Sequence, residues 1–498
     1  MSLVTFKLVS QSFARFFSWL HLNIHVIMST QRGRDTEDAG VSIEEIVQGI
    51  SSQDAHQQLI AAQNARKILS REPCPPTDAM IASGVVPILV QFLLRHDNVP
   101  LQFEACWALA NITSGNFAQR RTVVEAGAIP NFTSLLSSPH ANVAEKAVCA
   151  LRNIAGDDVY LRDLVIRSNI IPPLHALLTS DISPLLRRTI TGILSKLCIN
   201  ENSPPPFHVI KMVLPTLAEL INHSDKEVVR DSLFAISYLT EGSYRERQEV
   251  INLGLVPRLC ELLEMREVSI ISPALNAIGH IISVDDEHVQ TMINAGALQT
   301  LRVLLRHPVN FIVEDACWIV FFTAGTPTQI QAVIDNELVG LVIDVLHKGA
   351  KGCQKEAIWA VKSITTYGTI EQIIFLVKAG VIPPVCNLLA VKDPEILAVA
   401  LETIDNILNA TTEGTTVGTT ESVCCVIKQC GGLDIIENLL HHEDPEVYKL
   451  AFTIIDSFFT GEVTMSTQCR LKYLKNKGRD TENYRRRKGR KMALVIAY

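Results

Sequence analysis

Tryptophan and asparagine recur together in this chain at a spacing that suits recognition rather than catalysis. Trp107 is followed one helical turn later by Asn111. Equivalent positions fall at Cys149/Asn153, Gly192/Lys196, Phe234/Tyr238, Asn276/His280, Trp318/Phe322 and Trp359/Ser363, in steps of 42, 43, 42, 42, 42 and 41 residues. An indole offers a face to a cation and a slot to its aliphatic stem, and a carboxamide offers a donor and an acceptor to a peptide backbone. A regular series of such pairs is suited to gripping an extended peptide. The alternative is that the rings are half-buried spacers between structural repeats. Adjacent acids at Asp157-Asp158 and Asp285-Asp286 fall at helix ends, where solvated acids are common. The sequence holds no P-loop, GxGxxG, GxSxG or HExxH pattern, so a binding protein is expected, with no cofactor and no metal.

The elements that carry the series are helices. At about 100° per residue, with Trp107 at 0°, Ala105, Leu109 and Ile112 fall between about 140° and 200° and form an apolar stripe. Asn111 falls near 40° and Glu104 near 60°, so the ladder residues and Glu104 are expected to face away from the core. A second landmark keeps the same period. Gly84, Gly127, Gly254, Gly296 and Gly380 each precede an apolar helix start, four of them with Pro three residues on, and weaker copies occur at residues 169–172 and 213–215. Periods near 40 to 47 with two or three helices per unit belong to armadillo and HEAT solenoids. The expected fold is all-α, a right-handed superhelical armadillo-repeat solenoid of about ten repeats, and Ser42 with Glu45 fits the capping box that opens the first.

Composition agrees. The chain is 47% hydrophobic but only 6% aromatic, a helical rather than β balance. Twelve Cys without a CxxC pair read as reduced and mostly buried. Net charge is −7, yet residues 470–491 hold eleven Lys or Arg against Asp480 and Glu482, which leaves −16 on the remainder. An acidic array suits a basic ligand, although acidity alone reads equally well as a device for solubility.

Several stretches carry a resemblance: Gln102-Phe103-Glu104-Ala105-Cys106-Trp107-Ala108-Leu109, Leu151-Arg152-Asn153-Ile154-Ala155-Gly156-Asp157, Ser237-Tyr238-Leu239-Thr240-Glu241-Gly242, Lys355-Glu356-Ala357-Ile358-Trp359-Ala360-Val361 and Gln429-Cys430-Gly431-Gly432-Leu433-Asp434. Over residues 41–460 the chain resembles importin α, the adaptor that binds nuclear localisation signals. The resemblance implies a nuclear import adaptor in cytoplasm and nucleus, whose partners are basic signal peptides of cargo proteins, with no direct nucleic acid and no membrane. It implies a major site from Trp107, Asn111, Ser114, Gly115, Asn153, Asp157, Phe234 and Tyr238, with Asp157 receiving the key lysine of the signal. It implies a minor site from Trp318, Trp359 and Glu356, with Asp286 and Glu314 as further acids.

Departures from the family pattern set further expectations. Cys149 and Gly192 stand in Trp slots, and Lys196, His280, Phe322 and Ser363 stand where the family has Asn. Residues 1–40 hold only Lys7, Arg15, Arg32 and Arg34 as strong bases, so the family's basic importin-β-binding segment is expected to be missing and binding of importin β is doubtful. The stretch 6–28 is too polar for a membrane span. Residues 461–498 form a basic tail whose stretch 484–491 reads as a localisation signal, a nucleic-acid patch or a solvated end. Residues 411–422 read as a loop within the ninth repeat. Three functions remain: a signal receptor; an armadillo scaffold for another extended partner, which would show no preference for Lys/Arg peptides; and a decoy that binds cargo or the exporter of importin α without coupling to importin β.

Overall fold

The protein is described from a computed structural model that covers residues 41–71, 74–156, 158–199, 203–283, 285–413 and 419–460, the side chains of 413 and 419 excepted. All regular structure among these residues is α-helical. It divides into two compact units, one ending at Ile281 and the other starting at Ile282.

One repeat shows how the sequence builds the rest. Asn116 and Gln119 form a capping box, each side chain accepting from the other's backbone N–H at 3.0 Å, and so start helix Phe117–Glu125. Gly115, just before the cap, has no Cβ because the Gln119 carboxamide occupies that space. Gly127, at φ 82°, then reverses the chain into helix Ala128–Leu135. After a short turn, helix Ala141–Ile154 runs back, burying Val143, Ala147, Val148, Leu151 and Ile154 on one stripe. Ten such long helices follow one another: Ala55–Leu69, Val99–Thr113, Ala141–Ile154, Pro184–Leu197, Lys226–Glu241, Val268–Ile282, Asn310–Thr323, Lys351–Tyr367, Pro394–Glu413 and Pro445–Phe458. Within each unit, ladder helices pack on their neighbours, among them Ala55–Leu69 on Val99–Thr113 and Asn310–Thr323 on Lys351–Tyr367. The interior is Leu, Ile, Val and Ala with few rings, as the composition implies. The expected Ser42/Glu45 capping box is present at helix Ile43–Ile50.

The left-handed turn is more general than the glycines suggest. Asn169 (φ 59°) and Glu337 (φ 57°) hold the same conformation without being glycine. At residues 213–215 the expected turn does not form. Helix Phe207–Leu220 runs through this stretch with Pro215 inside it. The loop expected over 411–422 is shorter, since helix Pro394–Glu413 extends into it from one side and helix Thr419–Gln429 from the other. Six of the eleven described cysteines are buried, and all eleven are free thiols.

Candidate functional site

Burial at the ladder positions varies: Gly192, Tyr238, His280 and Ser363 are buried, while Trp107, Asn111, Asn153, Trp318 and Trp359 are half-buried. Trp107 is half-buried rather than exposed, as are Trp318 and Trp359. Its ring meets Phe103 edge-on at 5.6 Å. The Arg66 guanidinium lies 4.6 Å from its centroid and the Lys146 ammonium 4.4 Å, arriving from the repeats on either side. Glu104, expected to face outward, is 8% exposed and takes a 3.0 Å ion pair from Arg66, because the neighbouring repeat covers that flank of the helix.

The amides work between repeats. Asn111 Nδ2 donates to Ser70 Oγ at 2.8 Å, and Asn153 Nδ2 donates to the Ala110 carbonyl at 3.2 Å. Each therefore ties its helix to the C-terminal end of the preceding ladder helix. Ser114 closes its own helix by donating to the Asn111 carbonyl at 2.7 Å. At Cys149, burial pushes the thiol up while Lys146 pulls it down. At Gly192 a Cβ would stand 2.9 Å from Arg152 Nε, so the Arg152 guanidinium occupies the space that a side chain there would need. Phe234 stacks on Tyr238 at 6.5 Å. Tyr238 is only 7% exposed. His280 is buried beside Thr240, with Nδ1 3.4 Å from the hydroxyl. Asp157 lies outside the described residues, as do residues 1–40 and 461–498. Asp158 and Asp285 cap helices Val159–Arg167 and Asp286–Asn294.

In the second unit, Trp318 meets Phe322 edge-on at 4.8 Å, and Phe321 meets Trp359 at 6.0 Å. The Trp359 Nε1 is buried and has no hydrogen-bond partner. The Glu314 carboxylate packs against Gly352, where any Cβ would collide with it, and Glu356 is half-buried one turn before Trp359. Asp286 sits at the first turn of its helix, exposed, with Oδ1 3.2 Å from the place a Cβ on Gly325 would take.

The ladder extends further than the sequence reading took it. One step beyond Trp359/Ser363 are Glu402 and Asn406; Asn406 Nδ2 donates to Thr366 Oγ1 at 3.2 Å and Thr365 Oγ1 at 3.3 Å, and Glu402 pairs with Lys362. Lys362 also lies 5.1 Å from the Trp359 ring. One step before Trp107/Asn111 are Arg66 and Ser70. Carrying the period through polar residues would have found all four. Among the described residues no group of His, Cys, Asp or Glu is arranged to hold a metal ion, and no single helix is long and apolar enough to cross a membrane.

Comparisons with known proteins agree with this geometry. The armadillo/beta-catenin-like repeat matches residues 73–114, 116–156, 243–283 and 369–408, and the atypical Arm repeat matches 421–468. Importin subunit alpha-1b of Oryza sativa subsp. japonica is 39% identical over 84% of this chain and 79% of its own length. The chain belongs to the importin α family. Importin subunit alpha-2 of Arabidopsis thaliana is 40% identical over 84% of the chain and 79% of its own length. A crystal structure of an engineered protein covers 84% of the chain and 98% of its own, with a TM-score of 0.73 and 26% identity. Membership places the chain among nuclear import adaptors built as all-α armadillo arrays.

Proposed function

We propose that this importin α-type chain is a receptor for Lys/Arg-rich nuclear localisation signals of cargo proteins, held extended along the ladder face and carried between cytoplasm and nucleus. The observation that carries the reading is in the second unit. Trp318 and Trp359 take the same register on two helices packed directly together, with Glu314 and Glu356 one turn before the rings and Glu402 and Asn406 on the next ladder helix. Rings spaced by one repeat take aliphatic stems, the acids meet the cations at their tips, and the amides read backbone. Asp286 adds a carboxylate at the edge. This is binding chemistry, with no reacting group required.

The test is a fluorescence anisotropy titration of a single-cluster Lys/Arg peptide and of an uncharged peptide of equal length. The basic peptide should bind and the uncharged one should not. Trp359→Ala should weaken the basic peptide by about threefold to thirtyfold, the value of one cation–π slot. Equal binding of both peptides would remove the reading in favour of a scaffold for another extended partner.

A further inference from the structure

The first unit differs in what already fills its slots. Trp107 has a cation of its own chain from each neighbouring repeat, Arg66 at 4.6 Å and Lys146 at 4.4 Å. Both are anchored, Arg66 on Glu104 at 3.0 Å and Lys146 on Glu145 at 3.5 Å, and their side chains are no more than about a fifth exposed. Two repeats on from Trp107, Gly192 stands at the ring position without a side chain, and the Arg152 guanidinium lies in that space. Lys146 and Arg152 stand three residues before and after Cys149 on one helix, so they reach towards opposite neighbours.

We propose that Lys146 and Arg152 are specificity-determining residues that act as built-in occupants: they fill the cation places of the N-terminal ladder and exclude Lys/Arg side chains from it. A ring face already engaged by one cation offers little to a second, and the newcomer also meets a like charge in a half-desolvated setting. Trp107 carries a cation on each side, whereas in the second unit Lys362 approaches the Trp359 ring at the longer distance of 5.1 Å and is drawn to Glu402 on the next ladder helix. Basic ligands are therefore taken by the C-terminal ladder. This rests on the basic-peptide reading above, which it narrows to one half of the array.

The experiment uses the full chain and a fluorescein-labelled peptide with a single Lys/Arg cluster. The wild type is compared with the double variant Lys146→Gln/Arg152→Gln, each also carrying Trp107→Ala or Trp359→Ala. Arg121→Gln/Lys348→Gln removes the same charge from exposed sites as a control, and thermal melts show that each variant is folded. The expected result is a gain of binding in the double variant by about tenfold or more, abolished by Trp107→Ala and absent from the control. A wild type whose binding already depends on Trp107 would overturn the inference and leave the basic-peptide reading intact. A wild type that does not bind, beside a double variant that binds through Trp107, would support the inference and remove that reading. No gain, or a gain equalled by the control, would overturn it.

Discussion

His280 shows how one substitution in the ladder changes the physics of a repeat. It stands at the ladder position that Asn111 and Asn153 hold in their repeats, and its imidazole is 3% exposed. Burial, reinforced by the Arg247 guanidinium and opposed by a hydrogen bond with the Ser237 backbone, pushes its pKa down to about 3. An unfolded chain takes up the proton near pH 6.5 and the folded chain does not, so the folded state loses stability as pH falls from 6.5 towards 3. At pH 5 the loss from this group amounts to about 2 kcal/mol. His280→Asn should remove that component. Urea unfolding at pH 7.5 and pH 5 should show a decrease in stability larger for the wild type than for the variant by that amount, and equal decreases would show that His280 is not held neutral.

Among the helical elements, the left-handed residue between the first two helices of a repeat is the most exposed to test. Gly127 has φ 82°, and a Cβ there would meet nothing within 4 Å, so the cost of Gly127→Ala is purely that of the backbone conformation. A loss of about 1 kcal/mol is expected. Glu337 already bears that cost at φ 57°. Glu337→Gly should recover it, less the value of an exposed Arg302 pair worth at most about 1 kcal/mol. Thermal melts of the two variants should therefore move apart, Gly127→Ala downward and Glu337→Gly unchanged or upward. A Gly127→Ala variant as stable as the wild type would show that the left-handed turn is not required there.

For the molecule as a whole, an array in which each repeat contacts only its neighbours should respond locally to a ligand. Hydrogen exchange with and without a saturating basic peptide should slow amides in helices Asn310–Thr323 and Lys351–Tyr367. It should leave those of Val99–Thr113 and Ala141–Ile154 unchanged, given the occupied slots around Trp107. Protection centred on the Trp107 helix would contradict the assignment of the ligand to the second unit.

The sequence by itself determined the repeat. A 42-residue period, glycines at fixed offsets and a Ser42/Glu45 box are local signals, because capping and positive φ act within a few residues. Only the tertiary structure decided what the ladder positions touch, since each meets partners about 41 residues away. Trp107 reads as an exposed slot on a helical wheel, but the flanking repeats place Arg66 and Lys146 on its ring. Glu104 reads as solvated, yet Arg66 buries it. Gly192 reads as a lost ring, and Arg152 takes its place. A wheel drawn on one helix contains no neighbour, whereas in a stack of helices the neighbour sets the burial and charge of the side chains at the ladder positions.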